Sequence, residues 1–145
     1  MEEYRELMRY LHRAALLSER AGERRFTERI GIGRTQFLVL RTVSDVESPS
    51  QQSIADLLSL TKGAVSRHVA NAQREGWLTI GSSPVSRREN VLELTAEGRE
   101  LVERGLAVQA EYEELARPHL SKRDVATTGR TLKTLCELLE REERR

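Results

Sequence analysis

Cysteine occurs once in this 145-residue chain, at Cys136, proline three times, and aromatic residues make up only 4%. A single cysteine excludes an internal disulfide and a cysteine-built zinc site, and it suits a reducing compartment. Long apolar runs are missing too. Stretches such as Phe37-Leu38-Val39-Leu40 fall far below the roughly 20 residues that a membrane-spanning helix needs. The opening Met1-Glu2-Glu3-Tyr4 has nothing of a secretory signal, so a soluble, cytoplasmic protein with no membrane partner is expected. With so few aromatics the core must be built from Leu, Val, Ile and Ala, which favours helices. The 38% hydrophobic content excludes a disordered chain, and the length predicts one domain, or two small ones sharing a core.

The constellations of catalysis are equally scarce. His12, His68 and His119 lie far apart and form no H-E-x-x-H spacing, and no G-x-S-x-G occurs. Gly31-Ile32-Gly33 starts like a dinucleotide loop but lacks the third glycine and the preceding strand. Carboxylates interleave with arginine, as at Glu97, Arg99, Glu100, Glu103 and Arg104, which is the pattern of a solvated helix face. No enzyme, cofactor or metal is expected.

What is present is an uneven distribution of charge. The whole chain carries +1, yet residues 61–88 hold Lys62, Arg67, Arg74, Arg87 and Arg88 against Glu75 alone, a local +4 that leaves −3 for the rest. A basic segment on a balanced body is a candidate footprint for a polyanion.

Hydrophobic periodicity then orders the elements. Leu7, Leu11, Ala14/Ala15 and Leu17/Ala21 recur at helical steps from Tyr4 to about residue 25. After Gly31 and Gly33, the residues Phe37, Leu38, Leu40, Val43 and Val46 predict a second helix that stops before Ser48-Pro49-Ser50. Ser50 is placed to cap a short third helix whose buried face is Ile54, Ala55, Leu57 and Leu58; Thr61 can cap a fourth that buries Val65, Val69 and Ala72 and closes near Gly76. The period switches to two at Trp77-Leu78-Thr79-Ile80 and again at Val91-Leu92-Glu93-Leu94-Thr95, with Gly81-Ser82-Ser83-Pro84 as a turn between them. Helical spacing returns through Leu101, Gly105, Val108, Tyr112 and Leu115 to about Pro118. Ser121-Lys122-Arg123-Asp124 then has capping-box spacing before a last helix with Val125, Thr128, Leu132, Leu135 and Leu139 facing inward.

Two short helices joined tightly at Ser59-Leu60 and followed by a β-hairpin make a winged helix-turn-helix. The fold class is mainly α with a small β-hairpin wing, flanked by N- and C-terminal dimerisation helices. Residues 34–98 form the DNA-binding region; 1–30 and 99–145 form the dimerisation region, all in one intertwined domain. The second helix of such a motif enters the major groove, so its outward face should carry donors and small residues. That face is Lys62, Gly63, Ser66 and Arg67, with His68 beside it. Arg67 can fork onto guanine O6 and N7, Gly63 and Ser66 admit close backbone approach, and Lys62 with the helix N-terminal amides suits phosphates. Ser50, at the start of the preceding helix, joins this candidate DNA-binding set. Arg87 and Arg88 at the hairpin tip can reach a minor groove. Taken singly, each of these residues also fits a solvated surface, and a winged-helix protein-interaction module is the competing reading. Such a module should show an apolar or acidic outer face on the second helix.

These residues resemble the MarR (multiple antibiotic resistance regulator) family. The likeness rests on Gln36-Phe37-x-Val39-Leu40, Ile54-Ala55-x-x-Leu58, Val65-Ser66-Arg67-x-Val69 running to Gly76-Trp77-Leu78, and Arg87-Arg88 followed by Leu92-x-Leu94-Thr95-x-x-Gly98. The last is the most specific. The resemblance implies a sequence-specific transcriptional regulator, an obligate homodimer on a pseudo-palindromic site, commonly a repressor. The position of Arg67 would contact a base or phosphate, and that of Arg88 would enter the minor groove. Three positions depart from the family pattern: Ser86, where an aspartate commonly holds the wing arginine, and Ala72 and Ile54, where leucine is usual.

The stripes of the first and last helices exceed what a small winged-helix body needs. Burial against a second copy would set two recognition helices roughly 34–36 Å apart on one face of DNA. Many members of the resembled family release DNA when a small aromatic effector binds between the dimerisation helices and the winged helix; His12, Arg13 and Arg41 are the candidate polar groups for such a pocket. The N-terminal tryptophan expected of a urate-responsive subgroup is missing, since Trp77 is the only one. Oxidant-sensing relatives carry their thiol in the first helix, which has none here, and Cys136 is expected to be a buried small hydrophobe.

Overall fold

The computed structural model describes residues 1–82 and 90–143. Its elements run α1 (Glu2–Ile30), α2 (Arg34–Asp45), α3 (Gln51–Leu58), α4 (Lys62–Arg74), β1 (Leu78–Ser82), β2 (Asn90–Leu94), α5 (Ala96–Ala116) and α6 (Lys122–Glu143). The chain divides into two compact units, Met1–Val108 and Gln109–Arg145, with the boundary inside α5. The first unit holds the core, and the order of its elements is that of a winged helix-turn-helix preceded by one long helix.

Helix α1 continues to Ile30, beyond the predicted end near residue 25, because Phe26 and Ile30 sit one turn apart and are both buried. The Phe26 ring packs on that of Phe37 with centroids 4.6 Å apart and tilted by 34°, which fastens α1 to α2. Gly31 ends the helix at φ +78 and returns its N–H to the Thr27 carbonyl, a conformation that costs glycine nothing. Upstream, the predicted stripe is far less covered: Leu7 and Leu17 are exposed and Leu11 is half-buried.

Helix α2 buries Gln36, Phe37, Val39, Leu40 and Val43, and α1, α3, α4 and β2 all pack against it. Val46, predicted inside the helix, is instead its extended C-cap residue. Helix α3 opens with a reciprocal capping box. The Ser50 hydroxyl accepts from the Ser53 N–H at 3.1 Å, and the Ser53 hydroxyl accepts from the Ser50 N–H at 3.0 Å. Ile54 and Ala55 are buried as expected, but Leu57 is 62% exposed. At 100° per residue Leu57 falls on the opposite flank of Ile54 from Ala55, so an eight-residue helix cannot turn both inward. Ser59 closes α3 in the left-handed region at φ 52. Thr61 then caps α4, its hydroxyl accepting from the Ala64 N–H at 3.1 Å.

Strands β1 and β2 pair antiparallel in the register Leu78↔Leu94, Ile80↔Leu92 and Ser82↔Asn90. Leu78 and Leu92 are buried, with Ile80 and Leu94 half-buried on the same side, as a period of two requires. Strand β1 takes in Gly81 and Ser82, which had read as turn. The remaining predicted tip residues, Ser83, Pro84, Ser86, Arg87 and Arg88, lie outside the described residues.

The junction of β2 and α5 explains the Thr95-x-x-Gly98 signature. The Thr95 hydroxyl accepts from the Gly98 N–H at 3.1 Å and donates to the Gly76 carbonyl at 2.6 Å. The Thr95 N–H donates to the Trp77 carbonyl at 3.0 Å. One threonine therefore caps α5 and ties it to the exit of α4. Gly98 is buried, and a Cβ there would collide with the backbone carbonyl of Trp77.

In the second unit, Ser121 caps α6 by accepting from the Asp124 N–H at 3.1 Å. No described residue of α6 is buried. Leu132 and Leu135 of the predicted inward stripe are half-buried, whereas Val125 and Leu139 are 53% and 52% exposed. Cys136 is exposed, which corrects its reading as a buried hydrophobe: the second unit has no interior to receive it.

Gly98→Ala should lower thermal stability by about 1–3 kcal/mol, the cost of overpacking against a neighbour that cannot yield. Gly129→Ala in α6, where a Cβ meets nothing within 4 Å, should be neutral or stabilising. Paired thermal melts check both, and an unchanged melt for Gly98→Ala would contradict the close approach to Trp77.

Candidate nucleic-acid interface

Val65, Val69 and Ala72 are 0–1% exposed, and their burial fixes which side of α4 faces out. Lys62, Gly63, Ser66 and Arg67 are all exposed, and the surface continues through Ala70 and Arg74. Gly63, Ser66, Arg67, Ala70 and Arg74 follow helical spacing, so they form one stripe. It bears cations and small residues, and no carboxylate occurs within α4. Around Gly63 a Cβ would meet nothing within 4 Å, so the helix is open to close approach there. Ala70 and Arg74 were not singled out from sequence, although the same 3.6-residue period reaches them.

Ser50 and Lys62 are brought together although they begin different helices. They line one shallow hollow of about 360 Å³ with Gln51, Gln52 and Asn90. An ammonium, three amide side chains and a hydroxyl make a lining suited to phosphate oxygens. Ser50 reaches it with its hydroxyl already committed to the α3 cap, and Asn90 brings the first residue of β2 into the same hollow.

His68 is placed differently from its neighbours. Its Nδ1 lies 3.1 Å from Oε1 of Gln36, a 5% exposed side chain on α2. The Asn71 amide donates to the same oxygen at 3.2 Å, and Gln36 Nε2 donates to the His68 carbonyl at 3.2 Å. An amide oxygen only accepts, so Nδ1 carries the proton. The imidazole is therefore turned toward α2 and is half-buried. Burial lowers its pKa below the ordinary 6.5, the Arg67 charge lowers it further, and Glu23 opposes both. Gln36 had carried only a family resemblance; a lone amide gives no periodic signal that it will be buried.

An open cleft of about 850 Å³ runs beside this network, lined among others by Glu23, Ile32, Arg67, His68, Glu75 and Trp77. His12, Arg13 and Arg41 are not part of its lining. Arg41 instead pairs with Asp45 at 3.2 Å. Among the described residues no group of three or more His, Cys, Asp or Glu could hold a metal ion, and no helix is long and apolar enough to cross a membrane.

Residues 30–89 match the family model described as the MarR family. Over that stretch the chain is similar to the MarR family. Similar solved structures include a MarR/EmrR family transcriptional regulator from Acinetobacter sp. ADP1, with 23% identity, TM-score 0.86, and coverage of 94% of this chain and 96% of that one. A MarR family transcriptional regulator from Streptomyces coelicolor, solved in complex with DNA, has 20% identity, TM-score 0.84, and coverage of 94% and 88%. The MepR–DNA complex of S. aureus has 22% identity, TM-score 0.77, and coverage of 90% and 96%. No curated protein matches the chain. The fold of these solved structures is thus shared over nearly the whole chain, while the matching family model runs from the end of α1 through α2, α3, α4 and β1 and stops before β2.

A lowered histidine pKa makes the folded state favour neutral His68, so this contribution to stability is present above pH 6.5 and is lost as pH falls through the depressed folded-state value. Going from about pH 8 to about pH 5.5, the wild-type melting temperature should drop more than that of His68→Gln, which keeps a donor for Gln36 and does not titrate. Parallel melting curves for the two proteins would refute the lowered pKa.

Proposed function

We propose that the protein is a sequence-specific DNA-binding transcriptional regulator, a cytoplasmic homodimer that acts as a ligand-responsive repressor on a pseudo-palindromic operator. The observation that carries this reading is the outward face of α4: Lys62, Gly63, Ser66 and Arg67 are exposed on a helix free of carboxylates. Double-stranded DNA is the partner such a face fits, with donors for base edges and little bulk to hold a helix out of the groove. An interaction module would be better served by an apolar or acidic face.

In this reading Arg67 forks onto guanine, and Gly63 and Ser66 let the backbone come close. Lys62 and Ser50 meet phosphate at the shared hollow. Arg87 and Arg88 track the minor groove, and His68 acts from behind the reading face. The Streptomyces coelicolor and S. aureus structures are complexes with DNA, which supports the same assignment here.

Two further features support the finer parts. Tyr4, Leu7, Tyr10 and Leu17 of α1 and Leu115, Val125, Leu138 and Leu139 of the second unit are exposed large hydrophobics in the single chain. So much apolar surface on terminal helices is accounted for by a second copy. The cleft beside Arg67 and His68 lies within the size range of small-molecule sites. A small aromatic effector seated there would take Arg67 away from DNA.

Selection of bound sequences from a random duplex pool, with the solution mass recorded alongside, should return a two-fold-symmetric site bound by a dimer. No enrichment would favour the interaction-module reading. Arg67→Ala should cost about 1–3 kcal/mol on the selected site and relax its preference; equal loss on every sequence would reduce Arg67 to a phosphate contact. Arg88→Ala should flatten the dependence of log K on log salt or weaken the preference for A·T-rich flanks. An unchanged slope and preference would remove the wing from the reading.

A further inference from the structure

Helix α4 is held against the body by small apolar side chains. Val65, Val69 and Ala72 are all fully or nearly fully buried. Such contacts are strong in sum but non-directional, so they decide which face of α4 is buried more firmly than its exact roll. Reading a base edge is less forgiving, because a bidentate fork requires its two donors to meet two acceptors in one plane. Something directional must therefore set the roll of α4.

The side chain of Gln36 supplies it. Gln36 is the one polar residue among the buried side chains of the described core, and all three of its hydrogen bonds go to α4. Nε2 donates to the His68 carbonyl, and Oε1 accepts from His68 Nδ1 and from Asn71 Nδ2. The acceptors and donors it meets sit at positions 68 and 71, three residues apart, so the amide grips one face of α4 over a full turn. Asn71 is held in turn from the other side, its Oδ1 accepting from Arg74. Gln36 itself stands in the first turns of α2, the most buried helix of the unit, and is as fixed as that helix.

We propose that Gln36 is a positioning residue for DNA reading: its amide clamps His68 and Asn71 and thereby fixes the rotation of α4 that presents Arg67 to a base pair. The inference rests on the DNA-binding reading above and deepens it. Hydrogen bonds inside a low-dielectric core are directional and are lost outright when a partner is removed. Replacing the amide with an apolar side chain of similar size thus keeps the packing and removes the register. Gln36 touches no DNA in this scheme; it acts through Arg67.

The test compares Gln36→Leu with wild type on two duplexes, the selected site and a random sequence of equal length, at one salt concentration and well below the melting temperature. Specific affinity should fall by about tenfold, the scale of one misread base pair, while affinity for the random duplex and its salt slope stay unchanged. In an Arg67→Ala background, the same Gln36→Leu change should have no further effect on specificity, because the contact it positions is already gone. Where Gln36→Leu lacks a cooperative melt, Asn71→Ala removes one arm of the clamp and carries the same expectation. Equal losses on both duplexes would make the residue merely structural and overturn the proposal. So would a retained specificity ratio, or effects of Gln36→Leu and Arg67→Ala that simply add. If wild type itself prefers no sequence, the DNA-binding reading falls first and takes this inference with it; a discriminating wild type with an equally discriminating variant removes the inference alone.

Discussion

Helix α2 has to be covered on several sides at once, and most of the first unit is arranged by that requirement. Phe37, Val39 and Leu40 are at most 1% exposed, which no single neighbour could achieve for one helix. The α1 end supplies Phe26 and Ile30, α3 supplies Ile54 and Ala55, α4 supplies Val65 and Val69, and β2 supplies Leu92, all members of one apolar cluster. Removing such a post would expose apolar surface on every neighbour at once, so burial here is cooperative rather than pairwise. The helix that presents Lys62, Ser66 and Arg67 is thereby carried on the most deeply buried part of the molecule. In the proposed reading, a face on a rigid support loses little conformational entropy when it engages a partner.

A second constraint acts where β2 passes into α5. Thr95 spends its hydroxyl as donor and acceptor in one motion, closing the cap of α5 while holding the carbonyl of Gly76. The close approach of Gly98 to Trp77 follows from it. The hairpin is thus tied at its base to the end of α4, so the two candidate DNA-contacting elements share one anchor. Polar bonds do here what apolar packing does around α2, and they add direction.

Local signals were the most legible. Ser50, Thr61 and Ser121 cap the helices that the spacing assigned to them, because a cap is decided by residues three apart and needs no tertiary partner. The change of period from 3.6 to 2 located the hairpin for the same reason. Errors gathered where burial depends on a distant neighbour. The end of α1 was set too early because Phe26 and Ile30 have meaning only against Phe37. The apolar pattern points Leu57 inward, which a two-turn helix does not honour, and Cys136 lies exposed because the second unit has no interior to receive it. The outward residues of α4 are exposed as the periodicity requires, while His68, next to Arg67 in sequence, turns its ring toward Gln36.

By itself the sequence determined the order of elements, the caps, the hairpin and the basic segment, since each follows from residues within a turn or two of one another. It also carried a resemblance to the MarR family across residues 30–89. Tertiary structure alone decided that Ser50 and Lys62 share one hollow, that Gly98 lies under a backbone carbonyl, and that a buried amide on α2 is hydrogen-bonded to α4. These are juxtapositions of residues 12, 21 and 32–35 positions apart. Side-chain periodicity records which face a residue occupies but not what it will meet, and hydrogen-bond partners across a core are fixed only when the helices have packed.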